Sequence, residues 1–253
     1  MSETEVPSMA GVTGLSQWQR VTNTFTAPSK IFEDIKRGNR SWWLPLILVS
    51  LVGYLFFAVV ATRIGIHQTV ENQTHLSAKA EEGMANATPE QREKALGFWV
   101  TFSEVLFIAN PAITLGWYSL LSLGLIGTIN FGFGGRAKYG SILAVWLYSL
   151  LPVMVIKPLL GCVVIFAGMA PESFNIKNFA PTNIGSFLNP LETNAALYAF
   201  LTSLDVIQIW SLVLLAIGVA AVAGVKRSSG YIAVFGWWAI IVLFGVGIAA
   251  VTG

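Results

Sequence analysis

Charge is what this sequence has least of. Asp, Glu, Lys and Arg supply 11% of the 253 residues and hydrophobic types 55%, with a mean hydropathy of +0.67. A soluble domain carries about 25% charged residues, so a globule covered by solvated side chains is excluded. A net charge of +2 is also too small to grip nucleic acid through its phosphates, and no nucleic-acid partner is expected. Cysteine is almost missing. The single Cys162 excludes an internal disulfide and a cysteine metal cluster, and within its apolar run it reads as a small hydrophobe. Catalytic text is missing too: there is no GxSxG, no HExxH and no paired aspartates. The glycines of Phe131–Gly140 follow no strand and precede no Lys-Ser/Thr, so they read as a turn and not a phosphate cradle. Neither an enzyme nor a cofactor is expected. The first 40 residues hold no apolar core of a signal peptide, so the first membrane helix is expected to act as its own insertion signal.

Long apolar runs are what is present. Crossing about 30 Å of hydrocarbon takes about 20 apolar residues at about 1.5 Å each. Five runs qualify: 43–62, 112–131, 142–166, 206–225 and 231–251. The fold class is therefore all-α, a polytopic membrane protein with five transmembrane helices. The central hairpin, Leu115–Phe166, holds two of them around a glycine-rich turn with Arg136 and Lys138. Residues 1–23 are polar and expected to be a disordered tail, leaving 24–253 as one membrane domain. Around Pro28 the pattern predicts a short amphipathic helix lying on the membrane surface. Its apolar side is Phe25, Ile31, Phe32 and Ile35, and its basic side Lys30, Lys36, Arg37 and Arg40. Thr88-Pro89-Glu90 reads as a helix start. Residues 98–131 leave two alternatives: an interfacial segment Leu96–Ala109 leading into a crossing, or one long helix kinked at Pro111. Residues 169–195, rich in Pro and Asn, are expected to be an irregular loop.

Short loops rich in Lys and Arg stay in the cytoplasm. With the N-terminus inside, the inner segments hold nine basic residues: Arg20, Lys30, Lys36, Arg37, Arg40, Arg136, Lys138, Lys226 and Arg227. The longer outer segments hold five, Arg63, Lys79, Arg92, Lys94 and Lys177, diluted by seven glutamates. An N-terminus in the cytoplasm and a C-terminus outside are expected. Small residues four apart (Ala216, Ala220 and Gly224; Gly124, Thr128 and Gly132; Gly245 and Ala249) predict close helix packing in lipid.

Three ionisable residues fall in or near the apolar zone: Glu104, Lys157 and Asp205. Charge costs about 2.5–3.5 kcal/mol at the bilayer centre on insertion scales, which makes them candidates for function. Lying toward the outer ends of their helices, they are expected to serve as interfacial anchors or an outer-leaflet ion pair. A proton or ion pathway is the alternative. His67, Glu71 and His75 share one helix face, but without a fourth ligand they read as a solvated surface and no metal is expected.

Three stretches resemble the bacterial branch of the Yip1-domain membrane proteins. They are Phe25-x-x-Pro28-x-x-x-Phe32, the turn beginning at Phe131 that leads into SILAVWLYSLLP (Ser141–Pro152), and SLDVIQIWSLVLLAIGVA (Ser203–Ala220). The resemblance covers about residues 20–252 and implies five membrane helices, a cytoplasmic N-terminus and a C-terminus at or just past the last helix. It implies a multi-pass protein of the bacterial cytoplasmic membrane. Eukaryotic members bind Rab-type GTPases, but this N-terminus lacks the long acidic or aromatic-rich cytosolic arm of many of them, so small-GTPase binding is not expected to carry over. The expected role is non-enzymatic: organising membrane or scaffolding partners, in contact with the bilayer and by self-association or with other membrane proteins. A small transporter or channel using Glu104, Lys157 and Asp205 is the alternative.

Overall fold

The computed structural model describes residues 14–252. A capping box opens α1 (Gln17–Thr26): the Gln19 amide donates to Ser16 Oγ at 3.2 Å and the Ser16 amide to Gln19 Oε1 at 2.9 Å. Pro28, whose missing N–H goes unneeded in a first turn, starts α2 (Pro28–Lys36). The first span is α3 (Trp43–Arg63). Two short helices follow, α4 (Ile66–His75) and α5 (Ala78–Ala85). Then α6 (Pro89–Ile108) begins at the predicted Thr88-Pro89 signal, with Thr88 and Gln91 forming a second capping box.

Next come α7 (Asn110–Gly127), α8 (Tyr139–Ser149) and α9 (Lys157–Phe166). A π turn, Thr128–Gly132, extends α7, and another, Pro152–Ile156, joins α8 to α9. Proline cannot donate into the helical ladder, and the widened turn at Pro152 absorbs that loss within one continuous span. The chain ends with α10 (Ala195–Ser203), α11 (Val206–Ala223) and α12 (Arg227–Thr252). Five segments are long and apolar enough to cross a membrane: Trp43–Arg63, Asn110–Gly132, Tyr139–Phe166, Val206–Ala223 and Arg227–Val251. The protein is an all-helical, multi-pass membrane protein whose spans contact lipid.

Between residues 89 and 132 the expected interfacial turn is replaced by helix. α6 runs through it for 20 residues and meets α7 at Ala109, one residue before Asn110-Pro111. Pro111 has no N–H to give the Phe107 carbonyl and its ring crowds that carbonyl, so the ladder breaks just before it, at Ala109. α6 buries none of its residues and presents Phe98, Trp99 and Phe102 outward.

The N-terminal segment also departs from expectation. Residues 17–23, read as part of a disordered tail, form most of α1, and residues 1–13 lie outside the described residues. The apolar side of α2 faces protein. Its Ile31, Phe32 and Ile35 are each 0% exposed and join Ile142, Val145, Leu215 and Val219 in the main core. Lys30, Lys36 and Arg37 stay exposed. The amphipathic pattern was read correctly, but α8 and α11 offer its apolar stripe a protein groove instead of a bilayer.

That groove depends on one glycine. A methyl group on Gly218 of α11 would lie 2.5 Å from Val145 Cγ1 and 2.7 Å from Phe32 Cε1. Gly218→Leu is therefore expected to cost about 1–3 kcal/mol by overpacking and to loosen α2. Faster tryptic cleavage at Lys30, Lys36 and Arg37 would show it; an unaltered digestion pattern would refute it.

The small-residue stripes fare differently. Ala216 and Ala220 face Gly230 at the start of α12, where any Cβ would meet the Ala216 carbonyl and the Ala220 methyl. Gly224 does not belong to that packing face. At φ 70° it closes α11 in the left-handed conformation that glycine adopts without penalty. On α7, Gly124 admits the Trp237 ring and Thr128 Oγ1 accepts its indole N–H at 2.9 Å. A Cβ at Gly132 or Gly245 would meet nothing within 4 Å.

At one end of the bundle the basic turns meet: the Arg136 amide donates to the Ala223 carbonyl at 3.0 Å, and the Arg40 stem lies against Gly140. At the opposite end, the 167–194 loop is irregular, as expected, but tied down. Asn72 of α4 donates to the Pro171 and Phe174 carbonyls at 2.7 and 2.9 Å. Phe174 then packs with Phe56, Val60, Cys162 and Ile165 as an outer core.

Candidate functional site

Asp205 gathers four donors. It is the N-cap of α11, a position aspartate favours because its carboxylate satisfies free amides of the first turn. Oδ1 accepts the amides of Ile207 and Gln208 at 2.9 and 3.0 Å. Oδ2 accepts Lys157 Nζ at 2.8 Å and the Thr182 hydroxyl at 2.6 Å. Thr182 is brought there by backbone pairing: its carbonyl accepts the Val206 amide at 3.0 Å, and Asn183 forms a β-bridge with Asp205. Asp205 is 3% exposed. Lys157 opens α9 just after the π turn, and its Nζ also lies 5.6 Å from the Phe179 ring centre.

Of the three candidates, the structure joins two. Lys157 and Asp205 form an ion pair. Glu104 is exposed on α6, outside this cluster, and makes no ion pair among the described residues. His67 faces Glu71 at 4.0 Å and His75 faces Glu81 at 3.3 Å; both histidines and Glu81 are exposed and Glu71 is half-buried. No group of three metal-ligating side chains occurs among the described residues.

The place of the pair along the bundle follows from helix lengths. α11 has 18 residues, about 27 Å at 1.5 Å each. Asp205 stands at its N-terminal end, while α9 continues from Lys157 to Phe166, about 13 Å farther. Beside the pair lies a cleft of about 670 Å³ between α7, α8, α11 and α12. Its walls are apolar and aromatic, with Trp117, Leu121, Trp146, Leu212, Trp237 and Ile241 among them. Its polar end is Lys157, Asp205, Gln208 and Ser203.

A second buried cluster lies at the basic end, where Arg20, read as part of a disordered tail, meets Asp34 of the amphipathic segment and Tyr148 of a span. Arg20 is 0% exposed. Its Nη1 donates to Asn39 Oδ1 at 3.3 Å and the Ser41 carbonyl at 2.9 Å, and its Nη2 to the Asn39 carbonyl at 2.7 Å. Asp34 Oδ2 lies 3.3 Å from Nε, and the guanidinium sits 4.6 Å above the Tyr148 ring. Burial pushes the Arg20 pKa down, opposed by Tyr148 and Asp34. Tyr148 belongs to α8, so this cluster ties α1 and α2 to a membrane span. The Ser16-x-x-Gln19 capping box was its visible signal: it marks a helix start where the composition reads as disorder.

The comparison with protein families covers both ends of this architecture: the Yip1 domain model matches residues 22–249. The chain belongs to the Yip1 family. No curated protein and no solved structure shows significant similarity to it. The match takes in α2, the first four spans, the fifth as far as residue 249, and the residues of the Lys157–Asp205 pair. Yip1-family proteins are generally non-enzymatic membrane proteins.

Proposed function

We propose that this Yip1-domain protein is a non-enzymatic organiser of a bacterial cytoplasmic membrane, scaffolding partners or further copies of itself through α12. One observation carries the reading. Of the most apolar 18 residues of each span, only 11% are buried in Arg227–Val251, against 56% in the adjacent Val206–Ala223. Its outward face carries Ile240, Leu243, Phe244 and Ile248, with Gly245 and Ala249 four apart. Small residues at that spacing let a second helix approach closely where lipid offers no hydrophobic drive. Cysteine placed at Leu243 or Gly245 is expected to crosslink in native membranes, against a low background from buried Cys162. Monomer alone at every α12 position, with no partner captured, would refute it.

The orientation proposed with it puts the basic turns in the cytosol, following the excess of Lys and Arg there. Reporters fused at the two termini are expected to face opposite compartments; reporters facing the same one would overturn it. The transporter alternative needs charges free to exchange protons or ions, whereas Lys157 and Asp205 consume each other. Asp205→Asn is accordingly expected to leave ion flux in reconstituted vesicles unchanged. A changed flux would revive that alternative.

A further inference from the structure

We infer that the cleft between α7 and α12 holds one acyl chain of a glycerophospholipid, with the phosphate or ester oxygens of that lipid bound at the Lys157–Gln208 end. The inference is independent of the scaffolding role. Its first support is a surplus of donors. The Gln208 side chain, which lines the cleft beside Lys157 and Asp205, makes no hydrogen bond among the described residues. Lys157 keeps ammonium protons beyond the one given to Asp205. Unsatisfied polar groups in hydrocarbon cost several kcal/mol each, so the occupant must bring acceptor oxygens. Because Asp205 already neutralises Lys157 and is itself saturated, acceptor chemistry and not net negative charge is selected.

The second support is shape. Between Asp205 and Leu215 the cleft follows α11 for about 15 Å, the depth of one leaflet in a core about 30 Å thick. Pockets of about 300–1,000 Å³ with apolar walls and a few convergent polar groups are the usual form of small-molecule sites. Access is lateral, since the spans flanking the cleft, Asn110–Gly132 and Arg227–Val251, have only 17% and 11% of their most apolar 18 residues buried. An apolar chain with acceptor oxygens at one end describes a membrane glycerophospholipid. A second copy of the chain would offer the cleft an apolar helix face but no oxygens for its donors.

The test uses the full chain in phosphatidylcholine vesicles doped with a phosphatidylglycerol carrying a photoactivatable diazirine on one acyl chain. Label is expected on Leu121, Trp146 and Leu212, displaced by unlabelled phospholipid but not by hexadecane. Gln208→Leu should reduce cleft labelling about fivefold, the loss of one hydrogen bond, and Leu121→Trp should abolish it by filling the space. Label on the outward residues Leu243 and Phe244 should not change in either variant. Phosphorus carried through purification gives a second readout that needs no photochemistry, and Gln208→Leu decides the matter if Leu121→Trp fails to fold. Equal displacement by hexadecane, parallel loss of outward label, or crosslinks between two copies through the cleft would each overturn the inference.

Discussion

Arg20→Met is expected to release the N-terminal helices from the bundle. Removing one partner of a buried ion pair leaves the other charge uncompensated, at about 3–5 kcal/mol, and here Asp34 would be left 6% exposed without its cation. Two backbone carbonyls, those of Asn39 and Ser41, would lose their donors as well. For a chain of this size the melting temperature should fall by about 10 °C. The loss should be local before it is global: trypsin should cut at Lys30, Lys36 and Arg37 first, with the spans still intact. Arg20→Lys separates charge from geometry. It keeps the cation near Asp34 but lacks the planar fork that reaches both carbonyls, so it should fall between wild type and Arg20→Met. A methionine variant as protease-resistant as wild type would show that α2 is held by Ile31, Phe32 and Ile35 alone.

Lys157→Met is expected to weaken the opposite end by a similar amount, about 3–5 kcal/mol. Asp205 would keep Thr182 and two amides but lose its only cation within an almost water-free site. The informative comparison is the double variant Lys157→Met with Asp205→Asn. Asparagine caps a helix about as well as aspartate, so α11 keeps its start while both charges go. Stability should return most of the way, giving a coupling energy of about 2 kcal/mol in the double-mutant cycle. Heat stability in detergent would measure it. Additive losses would mean that Lys157 and Asp205 act separately, and the pair would then hold no special place in the fold.

The signals that were legible are the ones that need no partner to be read. Thr88 at an N-cap with Pro89 at the first helical position is a local helix-start signal, and α6 begins there. The stretch 98–131 was harder: the Asn110-Pro111 break was visible, but whether the chain before it stays helical depended on contacts. It does, with Phe107 stacked on Phe57 and the Ile108 carbonyl accepting the Tyr54 hydroxyl at 2.9 Å. Asn178 and Asn183 read only as loop composition, and Asn72 carried no signal of its own. Their side chains knit the 167–194 segment to itself and to α4, through bonds that composition does not encode.

Five apolar segments and the reach of each across a bilayer were in the sequence, because hydrocarbon as a solvent acts on every residue it touches. A run of about 20 apolar residues meets that demand without reference to the rest of the chain. The tertiary structure alone decided that Ile31, Phe32 and Ile35 turn toward α8 and α11, that Lys157 finds Asp205 from 48 residues away, and that Glu104 finds neither. Those outcomes depend on how each helix is rotated about its axis and where a loop folds back. Both are set by packing among segments far apart in the chain, and no local pattern reports them.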